Sequence, residues 1–144
     1  MTKLFGNNGL KAKGDYSELS EIRDFVQQKA LGAGLHMDKI NKITLAVDEA
    51  CSNLIHYSMK FNTKENLVIE CSENKNCFTV IIADNGIPFD PSKNPSPDMN
   101  EYLNTFKSGG LGIHIIKEIV DKIEYFPSDA GNSTNKLLLT MCVD

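Results

Sequence analysis

The 144-residue sequence predicts an α/β two-layer sandwich, with three helices packed on one face of a mixed, mostly antiparallel sheet. Three observations lead there. Apolar residues recur at steps of three and four in three segments, which is the helical period. Short β-type runs come in pairs separated by turn residues. One long polar stretch divides these elements without an apolar period of its own. The order is strand, two helices, hairpin, long loop, helix, hairpin, read as a single domain over residues 1–144.

Leu4 to Lys13 can hold a first strand, interrupted by glycines. From Ser17 to Leu31, the residues Leu19, Ile22, Val26 and Ala30 share one helix face, and Gly32 and Gly34 stop the helix. A second helix opens near Asp38, a candidate N-cap, and runs to about Met59, with Ile40, Ile43, Val47, Ala50 and Leu54 on its apolar face. Leu67–Cys71 and Cys77–Ala83 read as strands, and Glu73–Asn76 between them suits a hairpin turn. Gly109 to Gly112 lead into a third helix with Ile113, Ile116, Val120 and Ile123 on one side. Ile123–Phe126 and Thr134–Val143 form a closing hairpin.

Composition excludes several classes. A net charge of −4 with dispersed Lys and Arg gives no basic face for coating a nucleic-acid duplex. No run approaches the roughly 20 apolar residues that cross a bilayer, and Met1 to Gly9 lacks the apolar stretch of a secretory signal. The expected address is therefore cytoplasmic, with no membrane and no direct nucleic-acid partner. Cys51, Cys71, Cys77 and Cys142 fit no zinc or redox spacing, and are expected as reduced structural thiols. His36, His56 and His114 have no partner at ligand spacing.

Three segments carry candidate chemistry. Glu49 and Asn53 lie four residues apart in the second helix, so they stack one turn above the other, away from the Ile40/Val47/Leu54 stripe. A carboxylate and a carboxamide so placed suit a base and a hard oxygen ligand for Mg²⁺, although a solvated helix face would show the same spacing. Asp84-Asn85-Gly86 ends an apolar strand. The acid is either a turn-starter or a buried acceptor for the exocyclic amine of a purine, with Gly86 admitting the ring to the backbone. Lys107-Ser108-Gly109-Gly110-Leu111-Gly112 opens the third helix, either as a plain loop-to-helix joint or as an anion cradle. It matches neither a Walker A loop nor a dinucleotide fingerprint.

In this order, Glu-x-x-x-Asn, Asp-x-Gly and Gly-x-Gly resemble the N, G1 and G2 boxes of the GHKL superfamily, which has the Bergerat ATP-binding fold. The runs Leu45 to Asn53, Gly110 to Ile116 and Val120 to Tyr125 resemble most closely the anti-sigma-factor serine kinases. The likeness extends from about Tyr16 to Val143. It implies ATP and Mg²⁺ as ligands, Glu49 as the base toward an acceptor serine, and Asn53 as the Mg²⁺ ligand. Asp84 would read adenine, supported by Gly86, with Thr134 assisting through water. Lys107, Ser108, Gly110, Leu111 and Gly112 would lie along the phosphates, and residues 84–108 would be the ATP lid, mobile until nucleotide orders it. The departures are Tyr57 where members often carry His, and Ser133-Thr134 where they carry Gly-Thr.

The implied partners are an antagonist protein that accepts the phosphate and a sigma factor that the kinase sequesters. Members are often homodimers, for which Leu19 and Ile22 or a sheet edge would serve. Two other readings keep the fold: a catalytically silent, ATP-responsive binding module, and the ATPase domain of a signalling histidine kinase. The second expects a dimerisation helix with a phosphoacceptor His ahead of the domain, and none is found within these residues.

Overall fold

The computed structural model describes residues 2–6, 8–88, 116–131 and 133–143. The strands are β1 (Lys3–Phe5), β2 (Gly9–Lys13), β3 (Asn66–Asn74), β4 (Cys77–Asp84), β5 (Lys122–Phe126) and β6 (Asn135–Cys142). Two long helices are α1 (Leu19–Gly32) and α2 (Met37–Asn53), and residues 116–119 are also helical. The strands form one sheet in the order β1-β2-β3-β4-β6-β5. Every described pairing is antiparallel.

Side-chain alternation decides which face the helices cover. In β4, Phe78, Val80 and Ile82 are buried while Thr79, Ile81 and Ala83 are half-buried. β6 follows the same rule with Leu137, Leu139 and Met141 inward. Against this face α1 sets Ile22, Val26 and Ala30, and α2 sets Ile40, Ile43, Val47 and Ala50. Ile116 adds a fully buried side chain from the third helical stretch. Burying each such Ile or Leu stabilises by about 1.5–3 kcal/mol, so the layer contact dominates the fold. Ile22 therefore belongs to the core and is not available as a dimer contact.

Local chemistry explains the joints. Asp15 accepts a hydrogen bond from the Ser17 N–H and starts the short 3₁₀ turn ahead of α1. The β3–β4 turn is Lys75-Asn76, both left-handed at φ 50° and 69°, the two-residue hairpin geometry that matches strand twist. The first expected strand is instead a hairpin, because Gly6 at φ 60° reverses the chain between β1 and β2. Asp38 is not the N-cap of α2. His36 occupies that position and Asp38 sits in the first turn, where its charge favours the helix dipole.

The second helical run does continue toward Met59, but not as an α-helix. Leu54–Ser58 is a π-helical turn, closed by the Met59 N–H donating to the Leu54 carbonyl at 2.8 Å. Lys60 and Phe61 then take φ of 52° and 58° to leave the helix. Such turns recur at functional sites because they re-aim the side chains that follow.

The expectation of four reduced cysteines is overturned for two of them. The register places Cys77 opposite Cys142 at the outer ends of β4 and β6, with Cα atoms 3.9 Å apart, and the pair forms a disulfide. Cys51 and Cys71 are free and buried. Burial pushes the Cys71 thiol up to about 12, against a smaller lowering by Lys29. No helix among the described residues is long and apolar enough to cross a membrane.

Candidate functional site

Asp84 is the last residue of β4 and keeps the inward parity of Phe78, Val80 and Ile82, so a carboxylate ends an apolar row at 2% exposure. Three donors converge on its Oδ1: the Ser58 hydroxyl at 2.6 Å, the Gly86 N–H at 2.8 Å and the Asn135 amide at 3.1 Å. Its Oδ2 has no partner among the described residues. Asp84 is thus both the turn-starter, through Gly86, and a fixed acceptor with one oxygen to spare.

The elements that hold it come from three places. Asn135 opens β6 directly opposite Asp84 and is fully buried. Ser58 arrives at the end of the π-helical turn, and its carbonyl accepts from the Ile87 N–H at 2.9 Å. Its hydroxyl shares a single proton between Asp84 and the Ile87 carbonyl, 2.7 Å away. Gly86 passes so close that a Cβ there would lie 2.3 Å from the Ser58 carbonyl oxygen. Close backbone approach is thus a sufficient reason for glycine at this position.

Asn53, the last residue of α2, is 1% exposed, and neither its Oδ1 nor its Nδ2 has a hydrogen-bond partner among the described residues. It shares a helix face with Ala46 and Ala50, both fully buried, and so is not on a solvated face. A buried amide left without partners costs about 1–3 kcal/mol, so the fold holds Asn53 in an unfavourable state unless a ligand satisfies it. One turn earlier, Glu49 is half-buried. Desolvation raises its carboxyl above the ordinary range, and the neighbouring Asp48 charge adds to the rise. Asp48 itself accepts from Arg23 Nη1 at 2.7 Å, tying α2 to α1. The Cys51 thiol is pushed up chiefly by burial, and the charges of Asp48 and Asp84 add to the rise.

Among the expected site residues, the structure brings Asp84 and Gly86 together and sets Glu49 and Asn53 one turn apart on α2. The Thr134 hydroxyl donates to Oδ1 of Asn85, the residue after Asp84, at 3.3 Å. Lys107, Ser108, Gly110, Leu111 and Gly112, with residues 89–108 of the expected lid, lie outside the described residues. No group of three or more His, Cys, Asp or Glu among the described residues could hold a metal ion. The donor at hand for a hard cation is instead the Asn53 amide oxygen, with Glu49 beside it.

Sequence reasoning missed Ser58 and Asn135. Asn135 left a signal, since it continues the buried parity of Leu137, Leu139 and Met141 as a polar residue. Ser58 left none, because its direction depends on the π-helical turn.

Helices on one face of an antiparallel sheet, an inward acid ending an inner strand and an unsatisfied asparagine on the adjoining helix define a GHKL-type ATPase domain. Residues 13–141 match the family described as the histidine kinase-like ATPase domain, and the chain belongs to that family. Over 119 residues it is 28% identical to the serine-protein kinase RsbW of Bacillus cereus (strain AH820), covering 80% of this chain and 72% of that protein. Over 101 residues it is 31% identical to the serine-protein kinase RsbW of Staphylococcus aureus (strain MSSA476), covering 65% of this chain and 62% of that one. A solved histidine kinase domain, from the Erythrobacter litoralis EL346 blue-light activated histidine kinase, superposes with a TM-score of 0.53 at 14% identity. That superposition covers 89% of this chain and 60% of the other, and shows the fold alone.

Proposed function

We propose that this chain is an ATP-dependent protein-serine kinase that acts as an anti-sigma factor. It would phosphorylate a serine of an antagonist protein and sequester a sigma factor when the antagonist is modified. The observation that carries the reading is the buried, unpartnered amide of Asn53, set one turn from Glu49 on α2. The likeness to two serine-protein kinases supports the choice of acceptor.

The residues present fit ATP and Mg²⁺. Asn53 would offer its amide oxygen to the metal, and Asp84 would offer Oδ2 to the amine of adenine. Bound Mg²⁺-ATP would supply the phosphoryl group and the charge neutralisation its transfer needs. Glu49 would accept the proton of the incoming serine hydroxyl, a task suited to a carboxylate raised toward neutrality by burial. Lys107, Ser108, Gly110, Leu111 and Gly112 would line the phosphates, and Thr134 would stand at the edge of the base site. Residues 1–144 would act as one domain with a lid at about 84–108. The reading puts the chain in the cytoplasm, where the Cys77–Cys142 pair would meet thiol reductants.

Incubation with labelled ATP, Mg²⁺ and antagonist proteins from the same organism tests this. Transfer of label to a serine, lost in Glu49→Gln, is the expected result. ATP binding without transfer to any antagonist would leave a nucleotide-responsive binding module in its place.

A further inference from the structure

Cys77 and Cys142 face each other across β4 and β6, and both are half-buried, so their bond is not sealed from solvent. The Val143 N–H donates to the Asn76 carbonyl at 2.7 Å, which makes the two cysteines a non-hydrogen-bonded pair with closely opposed side chains. The free cysteines differ. Cys51 and Cys71 are buried, and burial pushes both thiols up, so neither offers a competing thiolate. Disulfides open to solvent are the labile ones.

The two bonded sulfurs are not equivalent. A cavity of about 320 Å³ beside the β3–β4 turn is lined by Cys77, while Cys142 does not line it. Buried Leu35 and Phe78 line it too, with the exposed side chains of Glu73 and Lys75. One acidic and one basic group at its border complement the ammonium and carboxylate of an amino-acid-like molecule. Cys142 is instead tied down by its main chain. Its N–H donates to Asp121 Oδ2 at 2.7 Å, and its carbonyl accepts from Lys39 Nζ. Those bonds do not depend on the disulfide, so the Cys142 sulfur stays at hand when the bond opens.

We propose that Cys77 is a site of reversible thiol exchange with low-molecular-weight thiols that carry an ammonium and a carboxylate. The small thiolate attacks Cys77 Sγ and forms a mixed disulfide there. The Cys77–Cys142 bond breaks, its electron pair leaves on the Cys142 sulfur, and that thiolate takes a proton from water. A second small thiolate then attacks the bound small molecule's sulfur, and Cys77 leaves as thiolate and is protonated. Two small thiols are thus oxidised to one small disulfide, and the protein gains two electrons. In the return direction the anchored Cys142 thiolate attacks Cys77 and expels the small thiol, a step favoured by its high effective concentration. The site does not depend on the proposed nucleotide chemistry.

Exposure of the oxidised full chain to glutathione tests this, with acid quenching, alkylation and peptide mass mapping. Glutathione carries one ammonium and two carboxylates, and cysteamine, which has no carboxylate, serves as control. Access through the cavity predicts the glutathione adduct on Cys77 in about tenfold or greater excess over Cys142. Lys75→Glu keeps both cysteines, and should slow opening by glutathione about threefold or more relative to cysteamine. Circular dichroism establishes folding; if Lys75→Glu does not fold, the position of the adduct in wild type decides alone. Adduct shared evenly between the cysteines or favouring Cys142, or an unchanged glutathione-to-cysteamine ratio in folded Lys75→Glu, overturns the proposal. So does a bond that opens only after denaturation, or a pair that oxidised glutathione never closes.

Discussion

Asn53 and Glu49 stand one turn apart at the end of α2 in opposite conditions: the amide is buried with neither polar atom partnered, and the carboxylate is half-buried beside a like charge. Both arrangements cost stability in the free protein. Sites that bind and react commonly carry such costs, which suggests variants that trade function for stability.

Asn53→Leu replaces the unpartnered amide with an apolar side chain of similar volume. The free protein should gain about 1–3 kcal/mol, read as a higher melting temperature, because the desolvation penalty disappears. Mg²⁺-dependent ATP binding should be lost in the same variant. A destabilised Asn53→Leu would mean that the amide has a partner in the free protein.

Glu49→Gln should bind ATP and fail to transfer phosphate. The pH behaviour follows from the raised carboxyl. The folded protein holds this proton to higher pH than the unfolded chain, so stability falls as pH rises from the ordinary carboxylate range through the folded value. At pH 7 the Gln variant should therefore melt slightly higher than wild type. In the wild type, the acid limb of the transfer rate should lie above the ordinary carboxylate range, and a limb at or below it would remove Glu49 as the base.

Gly86→Ala forces a methyl group to 2.3 Å from the Ser58 carbonyl oxygen, a backbone atom that cannot swing away. Overpacking of this kind costs about 1–3 kcal/mol, and here it should also pull Ser58 from Asp84. Chemical denaturation would show the loss, and weaker ATP binding should accompany it. Full stability in the variant would contradict the close approach.

The disulfide joins residues 65 apart in sequence, a span that holds the expected lid and β5. On loop-closure entropy, reduction should destabilise the fold by about 4 kcal/mol. Melting curves with and without a thiol reductant measure this, and Cys142→Ser should match the reduced wild type. Identical curves would show that the pair is already reduced in solution.

Most of the fold was legible because its signals are periodic. Helical spacing located α1 and α2, and the inward rows of β4 and β6 located the sheet. What escaped was set by tertiary contact. Nothing local announces that the run after Asn53 widens into a π-helical turn, which alone brings Ser58 to Asp84. The cysteines showed no template because a cross-strand pair depends on register between strands far apart in sequence, and Cys77 meets Cys142 only once β4 and β6 are aligned. Asn53 was legible as a residue type but not in its burial, since spacing gives a face and not the depth to which neighbouring elements cover it.

Asp84→Asn tests the central claim most directly. The variant keeps the size of the side chain but turns the oxygen facing the ligand into a donor, opposed to the amine of adenine. Calorimetric titration of Mg²⁺-ATP should give saturable binding to wild type and a loss of about 2–3 kcal/mol, roughly 30- to 150-fold, in the folded variant. Equal affinity in the two proteins would contradict a nucleotide site at Asp84.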